Sequence, residues 1–147
     1  MPFLFALIAI AAGVSSTLQS GSNQMLQKSL SAPLWSVSII SAVTLLASLA
    51  FPLIAGERIP NPATIAATPW WAWIGGLFGI GFVLATVYAS PRLGAGLFIG
   101  LIVTTSTITS LVLDHFGWMG FDVHAAGAGR IVGALLMIAG VALIAAF

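Results

Sequence analysis

Five apolar stretches divide the chain, at about residues 3–22, 33–55, 69–89, 93–113 and 131–147, and every Lys, Arg, Asp and Glu falls between them. A helix needs about 20 apolar residues to cross a hydrocarbon core roughly 30 Å thick. The last stretch is short for a span unless its helix starts a few residues earlier, with Arg130 reaching outward to the headgroups. The runs are continuous and lack the period-two alternation of a membrane barrel. The fold class expected is therefore an all-α integral membrane protein, with five transmembrane helices in one transmembrane domain over residues 1–147.

Composition points the same way. Four Lys or Arg and three Asp or Glu serve 147 residues, so charged residues make up 5% of the chain, against about 25% in a soluble domain. So few charges cannot coat a water-facing exterior, and lipid must solvate most of it. No basic run exists to follow a phosphate backbone, which excludes nucleic acid as a partner. The absence of cysteine removes disulfides, thiolate metal sites and thiol nucleophiles. Only Met1-Pro2 precedes the first apolar run, so a cleavable secretory leader is not expected. Asp114 and His115 stand near serines, but nothing marks a positioned base or an oxyanion hole. His115 and His124, with Asp114 and Asp122, share one Gly-rich loop at no zinc-site spacing. No catalytic residue, metal or cofactor is expected.

Small residues recur at four-residue steps: Ala9, Gly13, Thr17 and Gly21 in the first span, then Gly75 and Gly79, Gly96 and Gly100, and Gly129 and Gly133. In lipid such spacing lets helix backbones approach closely, so these positions are expected at helix contacts. Trp70, Trp71 and Trp73 open the third span, where an aromatic belt belongs, and Trp118 lies beside the fourth. Trp73 can also offer a cation–π face to a cationic substrate.

Two polar clusters interrupt the apolar spans. At 100° per residue, Ser16, Gln19, Ser20, Asn23 and Gln27 fall on one side of the first helix. Amides there are costly against lipid and should face protein or a water-filled cavity, with Gln19 the deepest. The second cluster is Thr104 to Ser110 in the fourth span, where Thr107, Ser110 and Asp114 line up at three- and four-residue steps. Its hydroxyls can instead bond their own helix backbone. Asp114 with His115 is a candidate ion or proton site. The competing reading puts Asp114 in the headgroup layer, paired with His115, Arg130 or Arg58.

The flanking charges are balanced. Arg58 and Arg130 fall on the side of the N-terminus and Lys28 and Arg92 on the other, which leaves no positive-inside bias. An odd number of spans without that bias suits insertion in both orientations. Two inverted copies would then make a ten-helix assembly with a two-fold axis in the membrane plane. The expected partner is a second copy in antiparallel arrangement, or a related chain of opposite orientation in a heterodimer.

An ordered set of motifs carries a resemblance. Leu18-Gln19-x-x-x-Asn23, Pro33 at the entry to the second span, Pro69-Trp70-Trp71-x-Trp73-x-Gly75-Gly76-Leu77, Leu113-Asp114-His115-Phe116-Gly117 and Arg130-x-x-Gly133 follow one another over nearly the whole chain. With these the chain resembles the YdcZ-type family of the drug/metabolite transporter superfamily. The resemblance implies one half of a ten-helix inverted-repeat assembly, and a small-molecule transporter, an exporter, dimeric, in the bacterial inner membrane. With the polar clusters, the leading expectation is alternating access around a polar pocket between the first and fourth helices of two protomers, with Gln19, Asn23, Ser106, Thr107, Ser110 and Trp73 contacting substrate. Two departures limit what the resemblance carries. Ser106 stands where such proteins often have Gln, and the first span has no carboxylate. A neutral amide cannot carry a proton, so the proton exchange of small multidrug pumps does not transfer. The alternatives are a non-transporting membrane subunit or assembly factor, and a lipid or glycolipid flippase.

Overall fold

A computed structural model describes residues 2–147 as two compact units, one reaching to Arg92 and the other running from Leu93 to Phe147. Five helices in it are long and apolar enough to cross a membrane, and the chain is a multi-pass membrane protein. At most 11% of the most apolar window of any span is buried within the chain, leaving the remaining apolar surface for lipid or a partner helix.

In the first unit α1 (Pro2–Leu30) runs on through the polar segment after residue 22. It stops at Ser31, which adopts φ +50° and returns its N–H to the Gln27 carbonyl at 2.9 Å. Ala32, at φ −136° and ψ 84°, is kept out of the helical region by the proline that follows. Pro33 opens α2 (Pro33–Ala55), in the first turn where a missing N–H costs no helix bond. A two-residue link makes α1 and α2 neighbours. Inside α2, Pro52 has no N–H to give the Ser48 carbonyl. Gly56, at φ +65°, ends α2 by bonding the Leu53 carbonyl, while Glu57 N–H bonds that of Pro52. This is the Schellman pattern, which needs a left-handed residue at that point.

The third span is composite. Short α3 (Pro62–Ala67) is capped by Asn61, whose side chain accepts from Ala63 N–H at 2.9 Å. A 3-10 turn (Trp70–Ile74) leads into α4 (Gly75–Tyr88). Pro91 cannot donate, so the chain tightens past Ala89, with Arg92 N–H reaching the Ala89 carbonyl at 3.0 Å, and one turn of α5 (Ser90–Leu93) completes the span.

The helices α1, α2 and α4 pack on one another. Their core is Val37, Ile40 and Val87, flanked by Leu26, Val83 and Leu84. These residues come from the C-terminal part of α1, the N-terminal half of α2 and the C-terminal half of α4. The three helices therefore close together at one end.

The second unit is an antiparallel pair, α6 (Ala95–Phe116) and α7 (Ala128–Ala146), with a 3-10 turn (Trp118–Gly120) in the connection. Gly117, at φ +65°, ends α6 by bonding the Leu113 carbonyl. The two helices come close at Gly100, where a Cβ would lie 3.1 Å from Val141 Cγ2.

That contact corrects the expectation about small residues. Gly13, Gly21, Gly75, Gly79, Gly96, Gly129 and Gly133 would each carry a Cβ with nothing within 4 Å. Among the described residues of this chain, only Gly100 of the glycines expected at contacts meets a neighbouring helix that closely. The helices of the first unit are held instead by the small valine and isoleucine core and by polar side chains.

Candidate functional site

Two hydrogen bonds join α1 to the end of the third span. Asn23 Nδ2 donates to Thr86 Oγ1 at 3.0 Å, and Thr86 Oγ1 donates in turn to the Val83 carbonyl at 2.7 Å. One turn away, Ser20 Oγ and Ser90 Oγ bond each other at 3.3 Å. Asn23 is 5% exposed, Ser20 1% and Thr86 0%. Ser20 with Asn23 and Thr86 with Ser90 recur at helical steps, so one face of each helix carries both bonds. Asn23, a candidate substrate contact by sequence, is thus engaged within the helix bundle. Burial without lipid contact is what makes an amide tolerable at that depth.

Gln19 is exposed and lies on an open cleft of about 520 Å³ between α1, α2 and α4. Gly76 and Gly79 leave room on the α4 side, and Ser41, Thr44 and Ser48 project from α2. Leu45, Ile80, Phe82 and Val83 supply its apolar wall. The three hydroxyl residues follow at steps of three and four, which puts them on one face of α2. Thr44 is the central residue of α2 and Gln19 lies within a turn of the centre of α1, so the polar lining sits near mid-depth of the helices. Thr44 Oγ1 donates to the Ile40 carbonyl at 2.9 Å and Ser48 Oγ to that of Leu45 at 2.9 Å. Their lone pairs remain free to accept. Gln19 and Ser41 make no side-chain hydrogen bond among the described residues.

The other sequence candidates fall elsewhere. Ser106 Oγ and Thr107 Oγ1 both donate to the Val103 carbonyl, at 3.0 and 2.8 Å, so these α6 hydroxyls are satisfied by their own helix. Ser110 is exposed on α6, and Trp73 is 60% exposed on the 3-10 turn. Trp73 is not among the residues lining the cleft beside Gln19, and Ser106, Thr107 and Ser110 belong to the second unit. Asp114 Oδ2 lies 3.7 Å from Arg130 Nη1, and its carbonyl accepts the His124 N–H at 2.8 Å. Arg130 Nη1 also donates to the His124 carbonyl at 3.3 Å. His115 Nδ1 accepts the Ala126 N–H at 3.2 Å. Asp114, His115 and Arg130 therefore strap the loop between α6 and α7 onto the helix ends. Among the described residues no three of His, Cys, Asp or Glu come together as a metal site.

Sequence reasoning alone does not reach Ser41, Thr44 and Ser48. A signal exists, since they are three hydroxyls in register in an otherwise apolar helix. It is weak because each hydroxyl can satisfy itself on the backbone. Only their placement opposite Gln19 and two glycines gives them a shared cavity.

A family model described as "Putative inner membrane exporter, YdcZ" matches residues 4–143. Among curated proteins, the inner membrane protein YdcZ of Escherichia coli (strain K12) is 35% identical over 81 residues. That match covers 55% of this chain and 54% of that protein, so it spans about half the length of the curated relative. No solved structure matches the chain. With a membrane-spanning all-helical fold and a family match over almost its full length, the chain belongs to the YdcZ family of inner-membrane proteins in the drug/metabolite transporter superfamily.

Proposed function

We propose that this protein is a small-molecule exporter of the bacterial inner membrane, working by alternating access as an antiparallel dimer. The family description as an exporter supports the broad function. The observation that carries the mechanism is the Gln19 cleft. It lies midway along α1 and α2, while the same helices close on the Val37, Ile40 and Val87 core at one end. A mid-depth cavity, largely apolar with a stripe of polar side chains and shut on one side, fits one state of an alternating-access cycle. The balanced placement of Lys28, Arg58, Arg92 and Arg130 supports two insertion orientations, and the inverted copy would supply the second half of the path. Gln19 is the substrate-contacting side chain of α1, and Asp114 with His115 is the ion or proton site at the end of α6.

Reporter fusions at Phe147 test the dimer. Signals from both sides of the membrane are expected, and a signal from one side only rejects dual insertion. Transport by purified protein in liposomes tests the function.

A second reading, a non-transporting membrane subunit, draws on the Asn23–Thr86 and Ser20–Ser90 bonds, which spend polar residues of α1 on helix association. Absence of flux above empty vesicles for any small polar or cationic probe would favour it.

A further inference from the structure

We infer that the cleft between α1, α2 and α4 selects an uncharged solute rich in hydrogen-bond donors, a small polyol or sugar, and rejects organic cations. The inference rests on the transporter reading above and concerns only what the cleft accepts.

Three features argue for this class. First, none of the residues lining the cleft is ionisable. A cation brought against this wall at mid-depth would lose hydration without gaining a counter-charge from the first unit, which is unfavourable. Cation recognition without a carboxylate usually uses several aromatic faces, yet Phe82 is the only aromatic residue in the lining, and Trp73 lies outside it.

Second, the polar lining is biased towards accepting. Thr44 and Ser48 have committed their protons to the Ile40 and Leu45 carbonyls, so towards the cleft they can only accept. Gln19 and Ser41 can both give and accept. A ligand matching this set must bring O–H or uncharged N–H groups.

Third, the geometry suits a short chain of hydroxyls. Ser41, Thr44 and Ser48 climb α2 over roughly 10 Å at the helical rise, comparable to an extended six-carbon polyol. Leu45, Ile80 and Val83 face the carbon skeleton, and Gly76 and Gly79 keep the opposite wall clear. A Cβ at either glycine would meet nothing within 4 Å, so that space belongs to the cleft rather than to helix packing.

The test uses the full chain reconstituted in liposomes, with labelled xylitol, mannitol and glucose as neutral probes and labelled choline as the cation. Saturable flux of at least one of the three neutral probes is expected, with choline no faster than in empty vesicles. Thr44→Val keeps the shape but removes the acceptor, and should raise KM about tenfold. Gly79→Leu should fill the cleft and stop flux while leaving the circular dichroism and gel-filtration profile unchanged. Should Thr44→Val fail to fold, Ser41→Ala replaces it with the same expectation on KM. Transport of the cation without any neutral probe overturns the inference and leaves the transporter reading intact. Neutral flux that ignores both Gly79→Leu and the hydroxyl variant also overturns it, because the solute then passes elsewhere. No flux of any of these four probes by folded protein overturns the inference about the solute, while the transporter reading falls only if the wider set of small polar and cationic probes also shows no flux.

Discussion

Asn23 on α1 donates its side-chain amide to Thr86 Oγ1 on α4 at 3.0 Å, while Gln19, one turn earlier on the same helix, opens onto a cleft. Two amides four residues apart thus have opposite surroundings. A four-residue step turns the helix by 400°, so the two side chains differ by about 40° in direction. That rotation, together with the separation of α4 from α1 at Gly76 and Gly79, is enough to move an amide from a packed seam to an open wall.

The Asn23–Thr86 bond should contribute modestly to stability. Interhelical hydrogen bonds in membranes average about 0.6 kcal/mol by double-mutant cycle. Thr86→Val should lower stability by about 1 kcal/mol, because it leaves a buried amide unpaired. The coupling with Asn23→Ala should be about half of that, read from unfolding in mixed micelles. A coupling of zero would mean the two side chains act independently.

Gln19→Leu should abolish transport with little loss of folded protein. Gln19 is exposed on the cleft and makes no hydrogen bond that the fold depends on. Flux measured in liposomes beside thermal stability in detergent separates the two effects, and survival of flux would make Gln19 dispensable to the path.

At the α6–α7 contact, Gly100→Leu should force the helices apart. The Cβ position already lies 3.1 Å from Val141 Cγ2, and overpacking typically costs about 1–3 kcal/mol. Val141→Ala in the same chain should recover part of that loss. Gly96→Ala, where a Cβ meets nothing within 4 Å, should be close to neutral in the same thermal assay.

The loop after α6 should loosen by parts. His115→Phe removes the acceptor of the Ala126 N–H, and hydrogen exchange at Ala126 should speed up with little change at the helix centres. Asp114→Asn weakens the contact with Arg130, with less than about 1 kcal/mol of effect because the pair is partly exposed. Gly117→Ala should be the most damaging change here. It combines φ +65° with a Cβ 2.7 Å from Val123 Cγ2, and the left-handed conformation alone costs about 1–2 kcal/mol.

Five spans and a helical membrane fold were legible in the sequence, because apolar length against bilayer thickness leaves few other solutions. That Gln19 is polar at depth was equally plain. The glycines were ambiguous, since four-residue spacing describes both a surface that packs and a surface that leaves room. Gly100 and Gly79 have the same spacing to a partner glycine. One touches Val141 and the other lines a cavity.

What the sequence by itself determined is the solvent: its charge placement and apolar runs commit the chain to lipid and to five crossings. Which polar residues are spent on packing and which are left open was decided only by the tertiary structure. Helix periodicity fixes the direction of a side chain about its own axis. It cannot fix the distance to the next helix, and that distance is what separates the Asn23 seam from the Gln19 cleft.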